Sequence, residues 1–103
     1  MSGVALIAHF EGDPSELASR FHTAASRYAT LVDAPQPTTA ALLRNKDGIA
    51  VVLVWPASTS LQPFQTFLRG AIAELGLPHP QVEHLRADAT TWQAIAQTEG
   101  GGE

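Results

Sequence analysis

Apolar residues fall along this chain in two kinds of pattern. From Gly48 through Ile49, Ala50, Val51, Val52, Leu53 and Val54 to Trp55 no polar residue intervenes, and Pro56 ends the run. A stretch so rich in Val and Ile, with no alternation, predicts a strand buried on both faces rather than one with a wet side. Val4 to Phe10 repeats the pattern and is broken only by His9. Strands of this kind need a cover on each face. A chain of 103 residues can lay helices on one face, and the other then requires a partner surface, most simply a second copy of the chain.

The other pattern is helical. Leu17, Phe21, Ala24, Tyr28 and Leu31 are spaced by four, three, four and three, which draws one stripe along a helix from Pro14 to about Leu31. Asp13 precedes it as a cap, Pro14 suits the first position and Glu16 stands where a capping-box acid reaches back. Leu61, Phe64, Leu68, Ala71, Ile72 and Leu75 form a second stripe, with Phe67 at its edge. It is capped by Ser60 and stopped by Gly76 and Pro78. Thr38 to Arg44 predicts a strand that turns at Asn45-Lys46-Asp47-Gly48 into the apolar run. Pairing across that hairpin groups Leu42 with Val51, Leu53 and Trp55, and Leu43 with Ala50, Val52 and Val54. The bulkier first set is assigned to the helix side and the smaller set to the partner side. Gln81 to Ala87 is a more polar edge strand. Thr91 to Gln97 gives one or two helical turns, with Trp92 and Ile95 packing back. The chain thus divides into a single α+β domain, 1–98, and a flexible tail, 99–103. The order is βαββαβ, that of a ferredoxin-like four-stranded antiparallel sheet with two helices on one face, here dimerising through the sheet.

Composition narrows the function. Charged residues make up 16% of the chain, against about a quarter in ordinary globular domains, which again favours a buried interface. A net charge of -4 gives no footprint for nucleic acid or an anionic membrane. There is no cysteine, hence no thiolate nucleophile and no cysteine zinc site. Neither a signal peptide nor a run approaching roughly 18 apolar residues is present, and the expected location is cytoplasmic.

Two residue patterns carry a resemblance to a known group. Phe10-Glu11-Gly12-Asp13 before the first helix, and Val52-Leu53-Val54-Trp55 followed by Leu61-Gln62-Pro63-Phe64, resemble the dimeric α+β barrel superfamily. The likeness spans about residues 4 to 87 and is nearest to antibiotic-biosynthesis-monooxygenase-like members and small uncharacterised bacterial relatives. Many members keep a Trp at the end of the third strand, which Trp55 matches. Monooxygenase-like members often carry a His in the following helix, where Phe64 stands here, and haem-degrading members an Asn on the first strand, where Ala5 to Ala8 stand. The pattern for haem is therefore not met. What the resemblance implies is a homodimer with an apolar pocket between sheet and helices, and oxygenation of an aromatic small molecule with neither bound metal nor flavin. The alternative is a non-catalytic ligand-binding or interaction module.

Few residues are candidates for such chemistry. His9 interrupts an apolar strand and shares a face with Ala5 and Ile7. If that is the helix face, its imidazole looks toward Trp55 and can take a proton from a phenolic substrate, with the Trp55 indole holding the anion. Otherwise it is a hydrogen-bonded residue at a sheet edge or dimer seam. Trp55 is either a pocket wall or a cap on the core. Phe21, Tyr28, Leu53, Phe64, Phe67 and His84 are the expected pocket residues, with the aromatics equally readable as plain core. His84, on the strand beside the first, is a possible neighbour of His9. No ligand spacing supports a metal site, and His22, at the edge of the first helical stripe, is expected to be solvated.

Overall fold

The computed structural model describes residues 3–101, with side chains as far as Ala96. Its elements are β1 (Gly3–Glu11), α1 (Pro14–Ala29), β2 (Thr39–Asn45), β3 (Gly48–Pro56), α2 (Gln62–Leu75), β4 (Gln81–Ala87) and α3 (Trp92–Gly101). The four strands form one antiparallel sheet in the order β2-β3-β1-β4, and α1 and α2 pack on one face of it. This is the ferredoxin-like arrangement with a short helix added. The two continuous apolar runs are the two central strands, because only there does each face of a strand lie away from the sheet's edges.

Register decides what each face carries. Val4, Leu6, Ala8 and Phe10 stand opposite Trp55, Leu53, Val51 and Ile49, and these residues meet α1 and α2 in one core with Leu17, Phe21, Tyr28, Phe64 and Leu68. Leu42 pairs with Val51 on that face, and Leu43 with Ala50 on the other. The other face holds Ala5, Ile7, Ala50, Val52, Val54, Leu43 and Leu85, with the polar His9, Gln81 and Glu83 toward one end and the β4 edge. Among the described residues no element lies over it, and the least dimension, 19 Å, is that of one sheet and one helical layer.

Local chemistry sets the boundaries. Asp13 accepts the Glu16 amide at 2.9 Å, while the Glu16 carboxylate engages Arg20 at 2.8 Å instead of reaching back. α1 ends at Ala29, where the Thr30 hydroxyl donates to the Arg27 carbonyl at 2.7 Å. Leu31 therefore leaves the stripe and is exposed. The N-cap of α2 is Leu61 rather than Ser60, whose hydroxyl only reaches the Gln62 amide at 3.4 Å. α2 stops at Gly76, in the left-handed conformation (φ 71°) that glycine adopts without strain. Asn45 pairs with Gly48, so the hairpin tip is Lys46-Asp47, and the Asn45 side-chain oxygen accepts the amides of Asp47 and Gly48 at 2.8 and 3.1 Å. A side chain at Gly48 would collide with the Phe10 carbonyl of the neighbouring strand.

The carboxyl-terminal region departs from expectation. Trp92 is 80% exposed and Ile95 48% exposed, so neither packs back. The centre of the helix-side surface is already covered by α1 and α2. The backbone of α3 continues to Gly101, through part of the tail expected at 99–103. Gly102 and Glu103 lie outside the described residues. Among the described residues no helix is long and apolar enough to cross a membrane.

Candidate ligand cleft

On the helix side, next to edge strand β2, the core does not close. α1 contributes Phe21, Ala24, Ala25 and Tyr28, α2 contributes Phe64, Phe67 and Leu68, and Leu42, Val51 and Leu53 form the floor, around a space of about 330 Å³. That volume falls in the range of small-molecule sites. The alanines on α1 leave this room, since larger side chains at 24 and 25 would fill the gap above β2. Tyr28 packs edge-on to Phe64, with ring centres 5.1 Å apart, and lies 5.1 Å from Phe67, so the walls are flat and aromatic. His22, Gln36 and Pro37 also line it, with Ala29, Ala40 and Ala41.

One carbonyl holds the frame of the cleft. Pro35 O accepts the Tyr28 hydroxyl at 2.8 Å and the Trp55 indole N–H at 3.0 Å. Gln36 Nε2 donates to the carbonyls of Tyr28 at 3.0 Å and Ala34 at 3.3 Å. The connection from α1 to β2 is thereby tied to a helix and to the central strand β3. Burial in this apolar setting raises the Tyr28 phenol above its ordinary pKa of 10.0, so it stays a neutral donor at physiological pH.

The residues singled out from sequence separate into two groups. Phe21, Tyr28, Leu53, Phe64 and Phe67 line the same cleft. His9 and Trp55 do not act together there. His9 pairs with Ala50 and Gln81 and shares the uncovered face with Ala5 and Ile7, so the sheet separates its ring from the cleft. Trp55 is fully buried behind Phe64, ring centres 5.1 Å apart, and its N–H is engaged by Pro35, which leaves it no donor for a substrate anion. It is a positioning residue for the frame. His84 stands opposite Leu6, three positions along from the Gln81 that faces His9, and points to the helix side. It meets Gln65 at 2.6 Å and does not line the cleft. The histidine that does is His22, expected to be plainly solvated. Placed one residue after Phe21, it is exposed and yet reaches the rim. Gln36 had no sequence signal, lying between two prolines in a connection without periodicity.

No protein-family model matches the chain, and no curated protein matches it. Solved structures do. The cofactor-independent oxygenase SnoaB from Streptomyces nogalater is 23% identical, the match covering 88% of this chain and 96% of that one with a TM-score of 0.59. A mutant of the same oxygenase is 22% identical over 87% and 93% with a TM-score of 0.54. At this identity the likeness establishes the fold, a ferredoxin-like α+β protein with helices on one face of an antiparallel sheet.

Proposed function

We propose that the cleft binds a flat aromatic small molecule carrying a hydroxyl group, and that the protein oxygenates it with dioxygen and no resident cofactor. The observation that carries this reading is the aromatic-walled space of about 330 Å³ in the fold of an enzyme described as a cofactor-independent oxygenase. Such chemistry draws its electrons from the substrate. A phenol with a free ring position and one O₂ give a quinone and one water, one oxygen entering the ring and the other leaving reduced. The protein's part is to hold the arene out of water, orient it and accept the phenolic proton. His22 is the ionisable side chain on the rim able to do so, in place of His9.

We further propose that the working form is a homodimer joined through the uncovered face. Ala5, Ile7, Val52 and Val54 form its centre, and Leu43 and Leu85, 55% and 50% exposed, extend the apolar surface to both edge strands. An apolar patch that crosses all four strands, interrupted on the β4 side by Glu83 and Gln81 and at one end by His9, is more than a lone protomer ordinarily shows. A non-catalytic binding protein is the second reading, supported by the engagement of both the Tyr28 hydroxyl and the Trp55 N–H by Pro35. Incubation with hydroxylated arenes under oxygen separates the two. Quinone formation and oxygen uptake by the wild type, reduced at least tenfold in His22→Ala, support the oxygenase. Binding without oxygen uptake by any such arene leaves the binding protein.

A further inference from the structure

The hydrogen-bonding groups of the cleft are not evenly divided, and the imbalance specifies what they recognise. Of the side chains that line it, only Tyr28, Gln36 and His22 are polar. The Tyr28 hydroxyl donates to Pro35. Gln36 Nε2 donates to two backbone carbonyls, and this pairing fixes the orientation of the amide, since an oxygen in that place would face two acceptors. What Gln36 has left is therefore its Oε1, an acceptor. No hydrogen bond engages the His22 ring among the described residues, and a neutral imidazole offers one acceptor nitrogen beside one donor. No Lys or Arg lines the cleft, so no permanent cation there balances a carboxylate or phosphate.

We infer that Gln36 Oε1 and the His22 ring form a hydroxyl-reading lip that selects neutral hydroxyarenes over their ethers, quinones and acids. This rests on the cleft being a ligand site, and adds to it the residues that set specificity. A ligand hydroxyl can donate to either acceptor. An ether or a quinone carbonyl brings only lone pairs: it can accept from the His22 N–H but offers nothing to Gln36 Oε1, which on an exposed residue is left to water, and that hydrogen bond is forgone. The same asymmetry favours product exit, because conversion of a ring hydroxyl to a carbonyl removes the donor that the lip holds.

The test uses 2-naphthol, 2-methoxynaphthalene and 1,4-naphthoquinone as probes, with dissociation constants measured by fluorescence or calorimetry for the wild type, Gln36→Met and His22→Ala. One hydrogen bond of ordinary strength makes the wild type prefer 2-naphthol over its methyl ether by about five- to tenfold. The ratio should fall to about twofold or less in Gln36→Met and narrow in His22→Ala. The ratio is the readout because loss of the Gln36 anchors to Tyr28 and Ala34 loosens the frame for both probes alike. Equal affinity for 2-naphthol and its ether in the wild type, or an unchanged ratio in both variants, overturns the lip while the cleft stands. Failure of the wild type to bind any of the three overturns the cleft reading itself.

Discussion

The two faces of the sheet are built from the same two central strands and have opposite characters. On the helix side the register lines up Leu6 with Leu53 and Phe10 with Ile49, large side chains that interlock with α1 and α2 around a fully buried Trp55. On the other side Ala5, Ile7, Val52 and Val54 make a low, smooth surface with no element above it among the described residues. The contrast teaches that bulk, more than hydrophobicity, distributes roles here. Large residues build a core with one gap large enough for a ligand. Small ones leave a surface whose shape suits a second sheet. His9 lies on the smooth face, the side of the proposed interface, and the sheet separates it from the cleft.

The largest effect should come from the helix face. Trp55→Ala empties the centre of the core and releases Pro35, and denaturant unfolding should show a loss of about 3–5 kcal/mol; Trp55→Phe should cost much less. A loss below about 1 kcal/mol in the alanine variant would mean that this face is not the organising one. The matching change on the smooth face is Val52→Asp. If a second subunit covers Val52, a buried unpaired carboxylate weakens association by about 3 kcal/mol or more, and sedimentation should show protomers where the wild type is dimeric. If solvent covers it, the substitution changes neither mass nor stability appreciably.

Smaller changes sharpen the contrast. Tyr28→Phe removes the hydroxyl bond to Pro35 and should cost about 1 kcal/mol. It should also change the alkaline limb of stability. Because the folded phenol has a raised pKa, the unfolded chain loses this proton first as pH rises through 10.0, and the folded state loses stability from there upward. The phenylalanine variant should lack that component of the decline, as pH-dependent thermal melts can show. At the low end, Glu74→Gln breaks the ion pair with Arg27 at 2.7 Å. Both partners are exposed, and the change should stay within about 0.5 kcal/mol.

Much of this architecture was legible in the residues. Hairpin parity placed Leu42, Val51, Leu53 and Trp55 together, and helical spacing brought out Phe21, Tyr28 and Phe64, because strand alternation and helix period are properties of the backbone alone. The side on which His9 lies depends on how β1 aligns with β3, which no local pattern states. The size rule used for β3 would have found it, since Leu6 and Phe10 outweigh Ala5 and Ile7. Gln36 and the shared Pro35 carbonyl were illegible for a different reason. They acquire meaning only when an irregular connection meets residues 8 and 20 positions away. The exposure of Trp92 likewise has no local signal, since whether a side chain meets the core depends on where the chain after β4 is led.

The claim that the helix-covered face receives the ligand is tested most directly by intermolecular nuclear Overhauser effects between bound 2-naphthol and assigned protein protons. Contacts from the naphthol ring to Tyr28, Phe64, Phe67 and Leu42 are the predicted result. Contacts to His9, Leu43 and Ala50 instead would put the ligand on the smooth face and contradict the account.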